Sequence, residues 1–398
     1  MKDFLLSAAA GIDGDGPFKD RWYLLKGGVV VEKGSISSPP TLPAGFPEVK
    51  LPFITPPLFD AHVHLSLSGS YEASERERVS SLNREEGLLR IMELLERYRS
   101  MGIMTLRDGG DPAGLALEAS KVAEREPGRY AKVLPSARPL VMKGRYGGFL
   151  GEAVASLKEA LGVVDENLLG GAAQIKVIAT GINSLTRAGD CGDLLFFPDE
   201  VAGIISRCDQ ENVPVMVHLN GPLSRVFLSK HKLPASIEHG FYLEGEDIAR
   251  LAASGSFWTP TLTAWSTLLE HPGLTEDKLE VVALTDVEHS FEVGEGVGAG
   301  CRLLAGSDAG TPGALHGEGL FAEANALIKC GAPIESIFSA AYAYLKGWTQ
   351  NYRSPLGEGV SASFLGWNEP LSNELKPPDY IYSNSSWSSA PPATNASA

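Results

Sequence analysis

Short apolar runs alternate with amphipathic segments along most of the chain, starting at Leu58. Eight of these runs have the length and the β-branched or aromatic content that is typical of strands. In chain order they cover residues 58–65, 102–110, 130–141, 172–181, 214–221, 235–240, 257–262 and 302–310. Strands that alternate with helices form parallel sheets, and eight such units can close into a ring. We therefore expect an α/β fold with a (β/α)8 TIM-like barrel over residues 56–349.

The segments between the runs carry the helical pattern. Apolar residues recur at helical spacing in the segment 84–102, at Leu88, Ile91, Met92, Leu95 and Tyr98. The segment 198–213 opens with Pro198 and two acidic residues, as the first turn of a helix often does. Both segments are predicted to be helices.

The two ends of the chain have a different pattern. "WYLLKGGVVVEKGSI" near the N-terminus predicts a hairpin with glycines at its turn, and a proline-rich connector follows it. "GVSASFLGW" and "PPDYIYS" near the other end predict short strands. We expect residues 1–55 and 350–382 to form one small β-sandwich-like unit, and residues 383–398, a low-complexity stretch, to be a disordered tail.

Composition narrows the possible partners. The 398 residues carry a formal charge of −15 without any basic block, which argues against nucleic acid or an anionic membrane as the partner. No two of the four cysteines form a C-x-x-C pair. No uninterrupted apolar run approaches the length that a membrane-spanning helix needs. We expect a cytoplasmic protein that acts on a small molecule, and a homo-oligomer is compatible with these features.

The candidate metal-binding and catalytic residues lie at the carboxyl ends of the predicted strands, where barrels of this kind place their active sites. His62 and His64 are two residues apart in a strand, so their rings share one face and could bind a metal; hydrogen-bonded or solvated histidines in a half-buried strand are the alternative. Three further candidates end later strands: His218, His239 and Asp308. Histidines 231, 271 and 289 lie in predicted helices or loops, where we expect them to be solvated.

Lys176 is an unusual residue for its position in "QIKVIATG". Its neighbours Ile175 and Val177 face the helices, so alternation turns Lys176 into the barrel, where an unpaired ammonium is costly. Two explanations remain open: an ion pair with a carboxylate, or reaction with CO2 to give a carbamate that bridges two metal ions.

This order of residues resembles the amidohydrolase superfamily in its binuclear members. The blocks "FDAHVHL", "GIMTLRDGG", "QIKVIATG", "VPVMVHLNG", "SIEHG" and "LLAGSDAGTPGALHGEGL" are similar to those of the imidazolonepropionase and Xaa-Pro or Xaa-Arg dipeptidase (prolidase-like) branch. The resemblance implies two divalent ions, with Zn2+ favoured by the histidine-rich set. His62, His64 and Asp308 would hold one ion, His218 and His239 the other, and carboxylated Lys176 would bridge them.

The same resemblance implies the reaction. A metal-activated hydroxide would cleave an amide or peptide C–N bond of a dipeptide, an N-acyl amino acid or a cyclic amide, with Asp308 as general base and then general acid. Arg145 and Tyr146, in the glycine-flanked loop after the third predicted strand, could bind a substrate carboxylate and the developing oxyanion. His316 could line the pocket, and Asn220 and Arg107 could support the ligands.

Two other functions compete with this hypothesis. A mononuclear deaminase on the same barrel needs a glutamate three residues after the histidine of the fifth strand, and this chain has Gly221 there. A catalytically inactive homologue that serves as a binding or scaffold protein would be expected to have lost ligands, and none is missing.

Overall fold

A computed structural model of the chain describes residues 1–221, 225, 227–228 and 232–388. The first four strands belong to a peripheral sheet: β1 Phe4–Asp13, β2 Gly16–Lys26, β3 Val29–Ser35 and β4 Glu48–Thr55. β1 pairs with β2 in antiparallel and with β4 in parallel orientation. The predicted hairpin is thus confirmed as β2 and β3, which pair antiparallel.

The barrel follows, with eight parallel strands as predicted. They are β5 Leu58–Val63, β6 Ile103–Asp108, β7 Lys132–Pro135, β10 Ile175–Ile178, β11 Val215–Leu219, β12 Ser236–His239, β13 Phe257–Thr259 and β14 Arg302–Leu303. Two short strands, β8 Leu140–Met142 and β9 Glu152–Val154, follow the third barrel strand. The predicted run 130–141 is therefore split between β7 and β8, because positive φ at Ala137 breaks the extended backbone.

Backbone hydrogen bonds close the ring at its two seams. The amide of Ala173 donates to the carbonyl of Pro135 over 2.8 Å, and the amide of Ala61 donates to the carbonyl of Ala305 over 2.9 Å. Every residue of β5, β10 and β11 is buried, because the parallel strands have helices on one face and barrel interior on the other. The α/β barrel fold is confirmed.

Helices surround the barrel, and the bounds of those in the described ranges are as follows. They are α1 Ala73–Ser80, α2 Arg84–Ser100, α3 Leu115–Arg125, α4 Leu157–Gly170, α5 Pro198–Asp209, α6 Gly245–Ser254, α7 Leu262–Ser266, α8 Glu276–Ala299, α9 Glu318–Lys329 and α10 Ile334–Trp348, with a 3-10 turn at Thr267–Glu270. α2 and α5 are the two helices predicted from sequence. Asn83 caps α2 by accepting from the amides of Glu85 and Glu86, so the helix begins where its capping box lies.

The chain returns to the peripheral sheet at its end. β15 Phe364–Trp367 pairs antiparallel with β4, and β16 Tyr380–Ser383 and β17 Ser386–Trp387 extend the sheet to seven strands. A separate apolar core, including Phe4, Phe364 and Tyr382, lies under this sheet.

The expected disordered tail needs a correction at its start. Residues 383–388 contain the last residue of β16, a turn and the strand β17, and Trp387 packs against the rings of Phe4 and Tyr382. Residues 389–398 lie outside the described part of the chain. Of the helices in the described ranges, none is long and apolar enough to cross a membrane.

Candidate active site

The six predicted ligand residues converge at the carboxyl end of the barrel. His62, Lys176, His218 and His239 lie on β5, β10, β11 and β12. His64 directly follows β5, and Asp308 lies in the segment after β14. All six residues are at most 8% exposed. The structure thus brings together residues that are up to 246 positions apart in sequence.

Distances within the group are short. The Nζ atom of Lys176 lies 3.3 Å from Nε2 of His62, and Oδ1 of Asp308 lies 3.6 Å from that same Nε2. Nε2 of His64 is 3.4 Å from Oδ1 of Asp308. The rings of His218 and His239 are 4.5 Å apart between centroids, and those of His62 and His239 are 5.1 Å apart.

Two of these residues have left-handed backbone conformations. His239, the last residue of β12, has φ of 65°, and Asp308, in the segment after β14, has φ of 50°. Such conformations cost a non-glycine residue on the order of 1–3 kcal/mol and are concentrated at functional sites. The amide of Asp308 donates to the carbonyl of His62 over 2.7 Å, which ties the last barrel segment to the first strand.

Hydrogen bonds determine which nitrogen of each histidine ring keeps a lone pair that could bind a metal. Nδ1 of His62 donates to the Glu238 carboxylate over 2.8 Å, and Nε2 of His218 donates to the carbonyl of Gly181 over 2.9 Å. The other nitrogen of each ring therefore keeps its lone pair. Nδ1 of His239 forms a 2.7 Å hydrogen bond with the Thr261 hydroxyl. Partners of this kind orient metal-binding histidines in many proteins.

Burial keeps these rings neutral. Burial, and then the charge of Lys176, lower the pKa of His64 to about 3 and that of His218 to about 3. Burial lowers the pKa of Lys176 and raises the pKa of Asp308. Neutral imidazoles are the form that binds metal.

Three of the donors are close enough together to share one divalent ion. One ligand atom from each of His62, His64 and Asp308 lies within 4.8 Å of the others. Nδ1 of His64 and Oδ1 of Asp308 are buried without a hydrogen-bond partner among the described residues, which is unfavourable unless another group binds there. The residues fit a metal ion.

A buried ion-pair network lies beside the cluster. Glu238 accepts from His62 and from the Arg107 guanidinium, the latter over 2.8 Å to each oxygen. Arg107 also donates to the hydroxyl of Ser236 over 2.6 Å and to that of Thr259 over 2.9 Å. Sequence reasoning named Arg107 as a supporting candidate but missed Glu238. Glu238 could have been identified as a charged residue inside the strand "SIEHG", next to His239.

The three substrate-binding candidates separate in space. Tyr146 lines the cavity beside the cluster, 6.0 Å from the ring of His218. Arg145 is exposed, pairs with Asp193 at 2.8 Å and is not among the residues that line this cavity. His316 is buried outside the cavity, where it bonds to the Tyr98 hydroxyl at 3.1 Å and the carbonyl of Leu67 at 3.0 Å.

The histidines that were expected to be solvated differ in their actual exposure. His289 was expected to be solvated, but it is 1% exposed, because α8 packs this residue against the ring of Phe241. It bonds to the carbonyl of Pro260 at 3.0 Å and to Glu292 at 3.3 Å. His271 is half-buried, and His231 lies outside the described residues.

The cavity in front of the cluster has a volume of about 230 Å3. Its polar lining includes Lys176, His218, Asn220 and Asp308. Among the described lining residues, Asp308 is the one carboxylate, so the cavity has a single candidate of that type for proton transfer. Gly221, where a deaminase would need its glutamate, uses its amide to donate to the carbonyl of Phe241.

Comparison with known proteins agrees with this geometry. Residues 53–322 match the model of the amidohydrolase family. No curated protein matches the chain significantly.

Several solved structures have the same fold. A Xaa-Pro dipeptidase with bound methionine in its active site superposes with a TM-score of 0.79 at 18% identity, covering 97% of this chain and 99% of that chain. Ochratoxinase from A. niger gives 0.77 at 18% identity, covering 97% and 95%. Phenylurea hydrolase B gives 0.75 at 16% identity, covering 96% of each chain. At these identities the likeness concerns the fold.

Proposed function

The chain belongs to the amidohydrolase family, and we propose that it is a metal-dependent hydrolase of carbon–nitrogen bonds in small amides. The observation that carries this proposal is the group of six buried side chains, four of them neutral imidazoles, that face one another at the mouth of the barrel. Structures with this fold include a Xaa-Pro dipeptidase, an ochratoxinase and a phenylurea hydrolase, and their names agree with the proposed chemistry.

We assign the ligands in two groups. His62, His64 and Asp308 would hold one divalent ion, since their donor atoms lie together and two of them lack partners. His218 and His239, whose rings are in contact, would hold a second. When bound, such a pair of ions supplies Lewis acidity, which acidifies water and polarises a carbonyl; Zn2+ suits the histidine-rich donor set.

Lys176 is proposed to be a carbamate that joins the two groups. Burial lowers the pKa of its amine, which favours the neutral form that attacks CO2. The nitrogen forms a bond to carbon and releases a proton, and the product carries a negative charge where a cation would be buried. Nζ of Lys176 lies 3.3 Å from Nε2 of His62, and its charge lowers the pKa of His218, so Lys176 is close to members of both groups.

Asp308 is proposed to move the proton. Its carboxylate would accept a proton from the attacking water and pass it to the leaving nitrogen, while the water oxygen bonds to the carbonyl carbon and the C–N bond breaks. Burial raises the pKa of Asp308, which brings it closer to neutrality, where proton acceptance and donation are balanced.

Tyr146 is proposed to stabilise the substrate oxygen. Burial, and then the charge of Asp308, raise the pKa of its phenol, so the hydroxyl keeps its proton. A protonated phenol in the cavity can donate a hydrogen bond to the carbonyl oxygen as negative charge develops there.

The test is the metal content and activity of Lys176→Ala. We expect the purified protein, supplied with Zn2+ and bicarbonate, to bind about two ions per chain, and the variant to bind about one and to lose turnover. Lys158→Ala, which removes an exposed lysine on α4, is the matched control. Mass spectrometric metal analysis and a screen of neutral and acidic amides are the measurements. A Lys176→Ala protein with two ions and full rate would refute the carbamate.

A further inference from the structure

One side of the cavity is built from hydrocarbon. We call Phe149, Ile182, Phe241, Trp265 and Leu268 the apolar wall. Phe149 and Ile182 are 59% and 48% exposed, which places them at the opening, while Phe241 is buried. Large apolar side chains that remain open to solvent in a cavity beside reactive groups indicate a binding surface for an apolar group.

The aromatic part of the wall is held in place from behind. The ring of Phe241 stacks on that of His289 with centroids 3.8 Å apart. The ring of Trp265 contacts Phe241 edge-on, with centroids 5.7 Å apart. Nε1 of Trp265 donates to the carbonyl of Val282 over 3.1 Å. His289 is in turn bonded to the carbonyl of Pro260. Phe241 and Trp265 are therefore preorganised, and this part of the wall can bind a ring or branched chain without first ordering its own side chains.

Away from the proposed ions, the same cavity offers little to a free carboxylate. Lys176 is the one lysine or arginine among the described residues that line it, and that amine lies within the ligand cluster. Arg145 pairs with Asp193, and Arg225 pairs with Glu244 and lies 3.8 Å from Asp247. Across the whole chain the charge is −15, so the average field also disfavours anions.

From these observations we infer that the substrate is a neutral amide whose aryl or branched alkyl group packs on the apolar wall, and that a carboxylate beside the scissile bond is disfavoured. The inference rests on the proposed function and narrows its substrate class away from dipeptides and N-acyl amino acids. Burying an anion against hydrocarbon without a partner is costly, whereas a neutral group of the same size is not penalised in this way.

The test uses three amides that differ at one position. N-hexanoylphenylalanine carries the carboxylate, N-hexanoylphenylalaninamide replaces it with a neutral group of similar size, and N-(2-phenylethyl)hexanamide lacks it. Release of the amine is measured with the zinc-loaded protein in bicarbonate, and binding of each compound is measured separately by calorimetry. We expect kcat/KM and affinity to be about tenfold or more higher for both neutral compounds.

The outcomes separate the two proposals. Equal or better hydrolysis of the acid, or its tighter binding, would overturn the neutral-substrate inference and leave the hydrolase proposal standing. Tighter binding of the neutral compounds without amine release from any of the three would support the inference about the ligand and overturn the hydrolase. Absence of both binding and release would overturn both.

Variants at the opening test the wall itself. Phe149→Ala should lower kcat/KM for the neutral compounds about fivefold or more through lost apolar contact, whereas Phe291→Ala, which removes a more exposed ring on α8, should not. Ile182→Arg should narrow the preference for the neutral amide over the acid, whereas Ile36→Arg, at an exposed isoleucine outside the barrel, should not. An unchanged preference in Ile182→Arg, or no loss in Phe149→Ala, would contradict the inference.

Discussion

Asp308 combines a strained backbone with an unpaired buried oxygen. Its φ is 50°, and Oδ1 has no hydrogen-bond partner among the described residues. Asparagine tolerates the left-handed region at least as well as aspartate does, and it has almost the same size. An amide at this position would therefore keep the fold while losing the ability to accept a proton.

We predict that Asp308→Asn folds normally and loses about 10^2–10^4-fold in kcat on any substrate that the wild-type protein hydrolyses well. The thermal unfolding midpoint, measured on the same samples, should remain close to that of the wild type. Turnover at the wild-type rate would remove Asp308 from the proton transfer.

His316 provides a pH-dependent contribution to stability outside the ligand cluster. Burial lowers its pKa from 6.5 to about 4. Between these two values the unfolded chain binds about one proton more than the folded chain at this residue, so its contribution to the free energy of unfolding falls as the pH falls from 6.5 to 4.

We predict that His316→Gln removes this dependence, because glutamine does not titrate. Its amide can still accept from the Tyr98 hydroxyl and donate to the carbonyl of Leu67, so the fold should be kept. The wild-type protein should lose about 1.4 kcal/mol per pH unit relative to the variant as the pH falls through this window. Urea unfolding of both proteins with a chelator at several pH values is the measurement. Two curves that stay parallel would contradict the prediction.

At the scale of elements, Arg107 connects four strands of the barrel. It extends from β6, donates to the carbonyl of Ala61 on β5, reaches Glu238 on β12, and bonds to Thr259 on β13. Arg107 and Glu238 are both 0% exposed. Removing one member of such a pair leaves the other buried and uncompensated, which costs more than removing both.

We predict that Arg107→Met lowers the free energy of unfolding by about 3–5 kcal/mol, and that the double variant Arg107→Met with Glu238→Gln recovers part of the loss. Chemical denaturation of the three proteins completes the cycle. If the double variant is less stable than Arg107→Met, the ion pair is not the origin of the effect.

At the scale of the whole molecule, the two chain ends share one sheet. Tyr382 lies 5.3 Å from the ring of Phe4 and 5.1 Å from that of Phe364, and Trp387 covers the same group. Strand β15 also pairs with β4, which leads directly into the barrel. The C-terminal strands thus complete a core that begins with the fourth residue of the chain.

We predict that a chain ending at Asp379 is destabilised by on the order of 3–5 kcal/mol or more, since it loses buried aromatic packing. A chain ending at Ser388 keeps every described residue and is the control, with an expected unfolding midpoint close to that of the full chain. Equal midpoints for the two truncated chains would show that β16 and β17 do not stabilise the sheet.

Much of the barrel and of its ligand cluster could be predicted from local pattern. The H-x-H pair depends on strand alternation, and Lys176 stands out because a charge interrupts an apolar strand. The expectation that parallel strands bring their carboxyl ends to one edge then places His218, His239 and Asp308 beside them, as the structure does. The convergence of these side chains could be predicted because each position depends on a few neighbouring residues.

Contacts between distant segments could not be obtained in this way. Glu238 pairs with Arg107 across 131 positions, Arg145 is bound to Asp193 across 48, and His289 is buried by a ring from another loop. Each pairing depends on how elements pack, and no local periodicity encodes it. The sequence by itself determined the fold class and the candidate ligands. Only the tertiary structure decided which charges are already paired, and therefore which surface remains for the substrate.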